Sequence, residues 1–246
     1  MPITRRINLV AALWIAFAAP AITRAQSPQS PKSPSRSQQQ EQIEALHSEL
    51  KQKEAQFLAV SDQDSAAYAD FLAQRDTGIC RLMPRETYDG RLMIRGGGAY
   101  YSFTERSSEY GNDTQLGLER GQFHSYLPGA SYGYITDLGD LPIDNLSSEQ
   151  GAISDLAALA AASAEPDARI EQRKAREGLG IGNRVYKNHA DAVVNHTYVL
   201  RAVIYDRSDT LVAFRAVRQD DDGSLMLVWK IFNKFQTPHL IRADPH

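Results

Sequence analysis

From residue 41 onward, apolar side chains return at helical intervals. Ile43, Leu46, Leu50, Phe57 and Val60 fall three, four or seven positions apart among Gln, Glu and Lys, a spacing that predicts an amphipathic helix. Ala66, Ala67, Tyr68, Phe71 and Leu72 extend the pattern toward Gly78. A helix of that length either lies across a sheet or joins a coiled coil. Lys53 stands where a coiled-coil seam wants an apolar residue, which favours the sheet.

Between residues 88 and 142 the pattern changes to short alternating runs rich in Gly and Tyr. RLMIR (91–95), AYYSF (99–103), TQLGLERGQFHSYL (114–127) and SYGYITDL (131–138) read as strands, broken by turn signals at Gly111-Asn112-Asp113 and Pro128-Gly129. Helical spacing returns over 148–177, where Ile153, Leu156, Leu159 and Ala160 form a stripe, Pro166 opens a second segment and Gly178 closes it. This is the expected central helical pair.

Three strands end the chain, at 197–205, 210–218 and 224–232, joined by the hairpin-like stretches 206–209 and 220–223. Four-residue loops would set Tyr205 opposite Thr210 and Arg218 opposite Leu225. Both faces of the resulting sheet are largely apolar, so both require covering. The expected fold is α+β: a C-terminal three-stranded antiparallel meander and a Gly/Tyr-rich β region, packed with a long N-terminal helix and the central helical pair. Residues 41–246 are expected to form a single globular domain.

Ahead of that domain, Arg5 and Arg6 precede an apolar, uncharged run over 7–22, and Thr23-Arg24-Ala25 follows it. This is the order of a secretory signal cleaved after Ala25. The run is shorter than the ~20 residues that span a bilayer and Pro20 interrupts it, so no stable membrane span is expected after cleavage. The Ser, Pro and Gln of 26–40 have little apolar area to bury and predict a disordered linker. Losing residues 1–25 removes three arginines and no acid, taking the formal charge from −3 to −6. With no basic stripe on the remainder, nucleic acid is an unexpected partner. The expected location is periplasmic or extracellular.

Candidate chemistry is sparse. Gly96-Gly97-Gly98 imitates a phosphate loop, but it leads into strand-like aromatics where a helix N-terminus is needed, so a bulge or close backbone approach is expected. Gly178-Leu179-Gly180-Ile181-Gly182 follows a helix and not a strand, which reverses the nucleotide-binding order. The six histidines stand at no metal-ligand spacing and are expected on the surface. Asp220-Asp221-Asp222-Gly223 lacks the alternating acids of a calcium loop. No cofactor or metal is expected. Cys80, the one cysteine, is expected as a buried plug, with a disulfide-linked dimer as the alternative.

With the four-residue loops, Arg201, Phe214 and Trp229 line up across the meander. These are the candidate ligand-binding residues, with Arg201 gripping an anion against an aromatic wall. The alternative is an arginine lying along its own sheet and paired with an acid. The function expected is a non-catalytic exported protein that binds another protein or a small ligand, its tyrosines suiting recognition. The alternative is a hydrolase-type enzyme whose site is assembled from scattered residues. A monomer is favoured, and a dimer would form through Cys80 or the N-terminal helix.

Overall fold

A computed structural model of the chain describes residues 34–93, 95–125, 127–149 and 151–241. The expected signal peptide and residues 26–33 of the expected linker lie outside them. By its contacts the chain divides into residues 1–44 and 45–246. The elements, in chain order, are α1 (Arg36–Leu58), α2 (Asp62–Ala67), α3 (Ala69–Leu72), β1 (Thr77–Leu82), β2 (Tyr100–Tyr101), β3 (Leu116–Glu119), β4 (Gln122–His124) and β5 (Tyr132–Asp137). There follow α4 (Gly151–Ala157), α5 (Glu165–Glu177), β6 (Leu179–Ile181), β7 (Arg184–Tyr186), β8 (His189–Asp191), β9 (Thr197–Ile204), β10 (Ser208–Gln219) and β11 (Leu225–Lys234). The architecture is mixed α+β.

Among the described residues, β1-β11-β10-β9-β5 form a five-stranded sheet and β2-β3-β4-β8 a four-stranded one, while β6 and β7 make a separate hairpin. The pairs within each sheet are antiparallel. The small sheet covers one face of the large one. Tyr101, Phe103, Leu116 and Phe123 pack there against Phe214, Leu227 and Trp229 in one apolar cluster. Phe123 meets Phe214 edge to face with ring centroids 5.0 Å apart, the geometry that ring quadrupoles favour. On the opposite face Ile153 and Leu156 of α4, Ala168 and Ala175 of α5 and Phe71 of α3 cover Val199, Val203, Leu211 and Val228.

The register of the meander differs from the expected one at both connections. β9 and β10 pair with Ile204 opposite Ser208, leaving the three residues Tyr205-Asp206-Arg207 as the connection. An odd slip in register moves a strand's side chains to the other face. Val199, Arg201 and Val203 therefore face the helices, and Tyr198, Leu200 and Ala202 face the small sheet. At the second connection Gln219 stands opposite Leu225, and an irregularity between Ala216 and Arg218 absorbs one residue. That bulge keeps Phe214 opposite Trp229.

The N-terminal helix also departs from expectation. It begins at Arg36, inside the expected linker, because Ser35 and Gln38 form a reciprocal capping box. The Gln38 amide donates to Ser35 Oγ, and the Ser35 amide donates to Gln38 Oε1. It ends at Leu58, and Ser61 caps a new helix by accepting from the Asp64 amide at 3.0 Å. No residue of α1 is buried. Within the unit that holds the sheet, Leu46 and Phe57 are 63% and 46% exposed, so residues 45–58 of α1 are not buried across it. Three- and four-residue steps among so many Gln, Glu and Lys leave too narrow a stripe to be drawn into a core.

Three of the six described tyrosines of the β region are core residues, while Tyr88 and Tyr100 are half-buried and Tyr110 is exposed. Tyr101, Tyr132 and Tyr134 are buried, as are Tyr186, Tyr198 and Tyr205 later in the chain. The expected recognition surface of tyrosines is not formed by these rings. Their hydroxyls reach polar partners at the edge of the core. Tyr134 donates to Glu171 at 2.8 Å, Tyr186 to Asp155 at 2.7 Å and Tyr205 to the Ala162 carbonyl at 2.8 Å. Residues 91–93, expected as strand, form a turn.

Candidate functional site

The structure brings together two of the three candidate ligand-binding residues and separates the third. Phe214 and Trp229 are cross-strand neighbours, buried under the small sheet. Arg201 faces the helices and stands opposite Leu211. Its Nε and Nη2 donate to the two Asp209 carboxylate oxygens at 2.9 and 2.8 Å. Nη1 donates to the carbonyls of Leu156 and Leu159, where α4 ends, and the Phe235 ring lies 4.1 Å away. A cation at a helix C-terminus meets the negative end of its dipole. The guanidinium is thus engaged by the protein itself, and the expected cation-aromatic row does not exist.

A different group of residues surrounds a cleft of about 380 Å³, within the size range of small-molecule sites. Its floor is Cys80 of β1 with Tyr101 of β2, both in the cluster under the small sheet, and one wall is Ala55 and Leu58 from the last turns of α1. Lys51, Glu54, Arg81, Arg95, Arg106 and Glu109 stand around it. Gly98, the last of the triple glycine, lines this cleft without a side chain. Gly96, Gly97 and Gly98 have φ of 90°, 61° and 81°, a region that glycine enters without steric cost. A Cβ on Gly98 would sit 2.2 Å from a Leu58 methyl. The bare backbone lets the Leu58 side chain from the last turn of α1 seat here, a side-chain approach where a bulge or a close approach of backbones was expected.

Electrostatically the floor is neutral, and of the rim cations Lys51, Arg81 and Arg95 are paired with acids. Burial pushes the Cys80 thiol far above its ordinary value and holds it as a thiol. Burial likewise raises the Tyr101 phenol. At the rim Glu109 receives Lys51 at 2.7 Å and Arg95 at 3.0 Å, and the Lys51 hydrogen bond foremost holds its carboxyl below the usual range. Arg81 donates to Asp222 and Ser224 and to the Phe57 carbonyl. Arg106 makes neither a hydrogen bond nor an ion pair with any described residue, and its guanidinium lies 5.2 Å over the Trp229 ring. The indole Nε1 lies near the Tyr101 hydroxyl but closes no hydrogen bond of good geometry.

Reading the sequence missed Arg106 because nothing in SFTERSSE marks it. Its signal is conformational: φ is 52°, in the left-handed region that a non-glycine residue seldom adopts. The histidines also need correction, since His124 is buried with its ring 6.1 Å from that of His189. His196 and His239 pair with Asp137 and Asp206, each at 2.8 Å. Among the described residues no group of three or more His, Cys, Asp or Glu is placed to hold a metal ion. No helix among them is long and apolar enough to cross a membrane. Compared with protein-family models, with curated proteins and with solved structures, the chain shows no match.

Proposed function

We propose that this chain is an exported, non-catalytic binding protein that takes a small molecule into the cleft between the last turns of α1 and the β1 edge of the large sheet. The observation that carries the reading is the cleft itself. It combines about 380 Å³ of space with an apolar floor and a charged rim, the composition typical of ligand sites. The groups in it are arranged to hold and not to react. Cys80 and Tyr101 are kept protonated by burial, and Glu109 is engaged by two cations. Export rests on the basic, apolar, small-residue order of residues 1–25.

The cleft is tested with anilinonaphthalene sulfonate, whose fluorescence rises in apolar surroundings. The full chain is expected to bind it saturably. Ala55→Trp fills the cleft from an exposed helix position and is expected to abolish that binding while leaving the thermal midpoint unchanged. Undiminished dye binding by a folded Ala55→Trp chain would sink the reading.

A further inference from the structure

We infer that the ligand of this cleft is a small organic anion, a carboxylate or sulfonate on a mainly apolar body, with Arg106 holding its head. The inference rests on the reading of the cleft as a ligand site and adds the chemical class of what enters it.

Charge pairing around the cleft carries the argument. Lys51 and Arg95 share Glu109, and Arg81 is taken by Asp222. Among the described residues Arg106 is the cleft cation that makes no hydrogen bond or ion pair with an acid, although its charge reaches Asp76, and Lys51, Arg81, Arg95 and Arg106 against Glu54 and Glu109 leave the charged lining formally positive. A cationic ligand would have to displace Lys51 or Arg95 from Glu109 or compete for Glu54, which is engaged as well, and a neutral one would leave Arg106 as it is. An anion finds a cation already in place.

Arg106 is also held where it is useful. Its backbone is fixed in the left-handed region, a conformation that costs energy and recurs at ligand clamps. Arg95, another cleft residue, has φ of 50°. The guanidinium lies over the face of a buried indole, which limits the motion of its plane and leaves the N–H edge available for a bidentate acceptor. Less ordering then remains to be done on binding. Below it Cys80 and Tyr101 of the floor, with Leu58 of the wall, offer carbon and sulfur, suited to the apolar body. Cys80 and Tyr101, kept neutral by burial, add no negative charge that would repel the head.

The test compares two dyes with the same rings, anilinonaphthalene sulfonate and the uncharged phenylnaphthylamine, on the full chain. The sulfonate is expected to bind about two- to fivefold more tightly, the range of a partly exposed charge contact. That preference should shrink as salt is raised. Arg106→Gln is expected to abolish the preference with a native thermal midpoint, and Arg106→Lys to retain part of it. Equal affinity for the two dyes, or a preference that survives in Arg106→Gln, overturns the anion inference even though the cleft still binds. Sulfonate binding that Ala55→Trp leaves intact instead overturns the cleft reading beneath it.

Discussion

Arg201 and Asp209 show how much one side chain can depend on another. Their side chains are 4% and 2% exposed, so each charge is tolerable only beside its partner. Asp209→Ala is expected to cost about 3–5 kcal/mol, because it leaves the guanidinium buried without its carboxylate. The double change Arg201→Met with Asp209→Leu should cost less than Asp209→Ala alone, since no orphaned charge remains. Urea unfolding of the three proteins decides it, and a double variant weaker than the single one would refute the account. Trp229 is buried for a different reason: Phe103 and Phe214 surround it, with Phe103 edge-on at 5.6 Å. Gly78 lies against its ring, where a Cβ would come within 2.1 Å. Trp229→Ala is expected to cost about 3–5 kcal/mol through the void it opens. Near-native stability in urea would show that the ring is not part of the core. At this scale the sequence was only partly legible. The apolar character of Phe214 and Trp229 was readable from strand periodicity, whereas the face on which Arg201 lies depended on the length of one turn.

The same limit governs whole elements. The ends of α5 were legible because Pro166 and Gly178 act locally. Gly178 takes φ of 115° and donates its amide to the Lys174 carbonyl. The beginning of α1 was equally local, but the Ser35/Gln38 box was hidden inside a Ser/Pro/Gln-rich stretch whose composition argued for disorder. Whether α1 would be buried was not legible, since that depends on which surface is offered to it. The surface offered is the glycine-lined edge near Gly98, and Leu58 is the residue that takes it. Gly98→Val is therefore expected to unseat the last turn of α1 for two reasons. Its side chain would overlap Leu58, and valine is strained at φ of 81°. Amide exchange over residues 51–58 should rise several-fold while the strands of the meander stay protected. Unchanged exchange in that segment would mean that the seat is made by other contacts.

At the scale of the molecule, helices and a second sheet cover the two faces of the large sheet, as its two apolar faces required. Which element covers which face was not readable, because the partners are far apart in sequence. The cleft shares that origin. It gathers residues from α1, from β1, from the triple glycine and from the loop around Arg106, and none of these segments carries a motif on its own. One property does belong to the whole molecule: several buried phenols depend together on the fold. Burial is the first cause raising Tyr132, Tyr134, Tyr186, Tyr198 and Tyr205, with Tyr198 pushed up to about 12. Tyr134 and Tyr186 also donate to carboxylates that would repel a phenolate. A phenol whose pKa is higher in the folded than in the unfolded state binds its proton more tightly there. Its contribution is complete below the unfolded value of 10.0 and is lost as pH rises from there toward the folded value. Stability should thus be insensitive to these groups at neutral pH and should fall steeply above about pH 10. Ionisation of the phenols is followed by near-ultraviolet phenolate absorbance. The buried set should ionise together with the loss of the far-ultraviolet sheet signal. If these five phenols ionised near pH 10 with the sheet signal intact, they would be solvent-accessible and the core that buries them would be wrong.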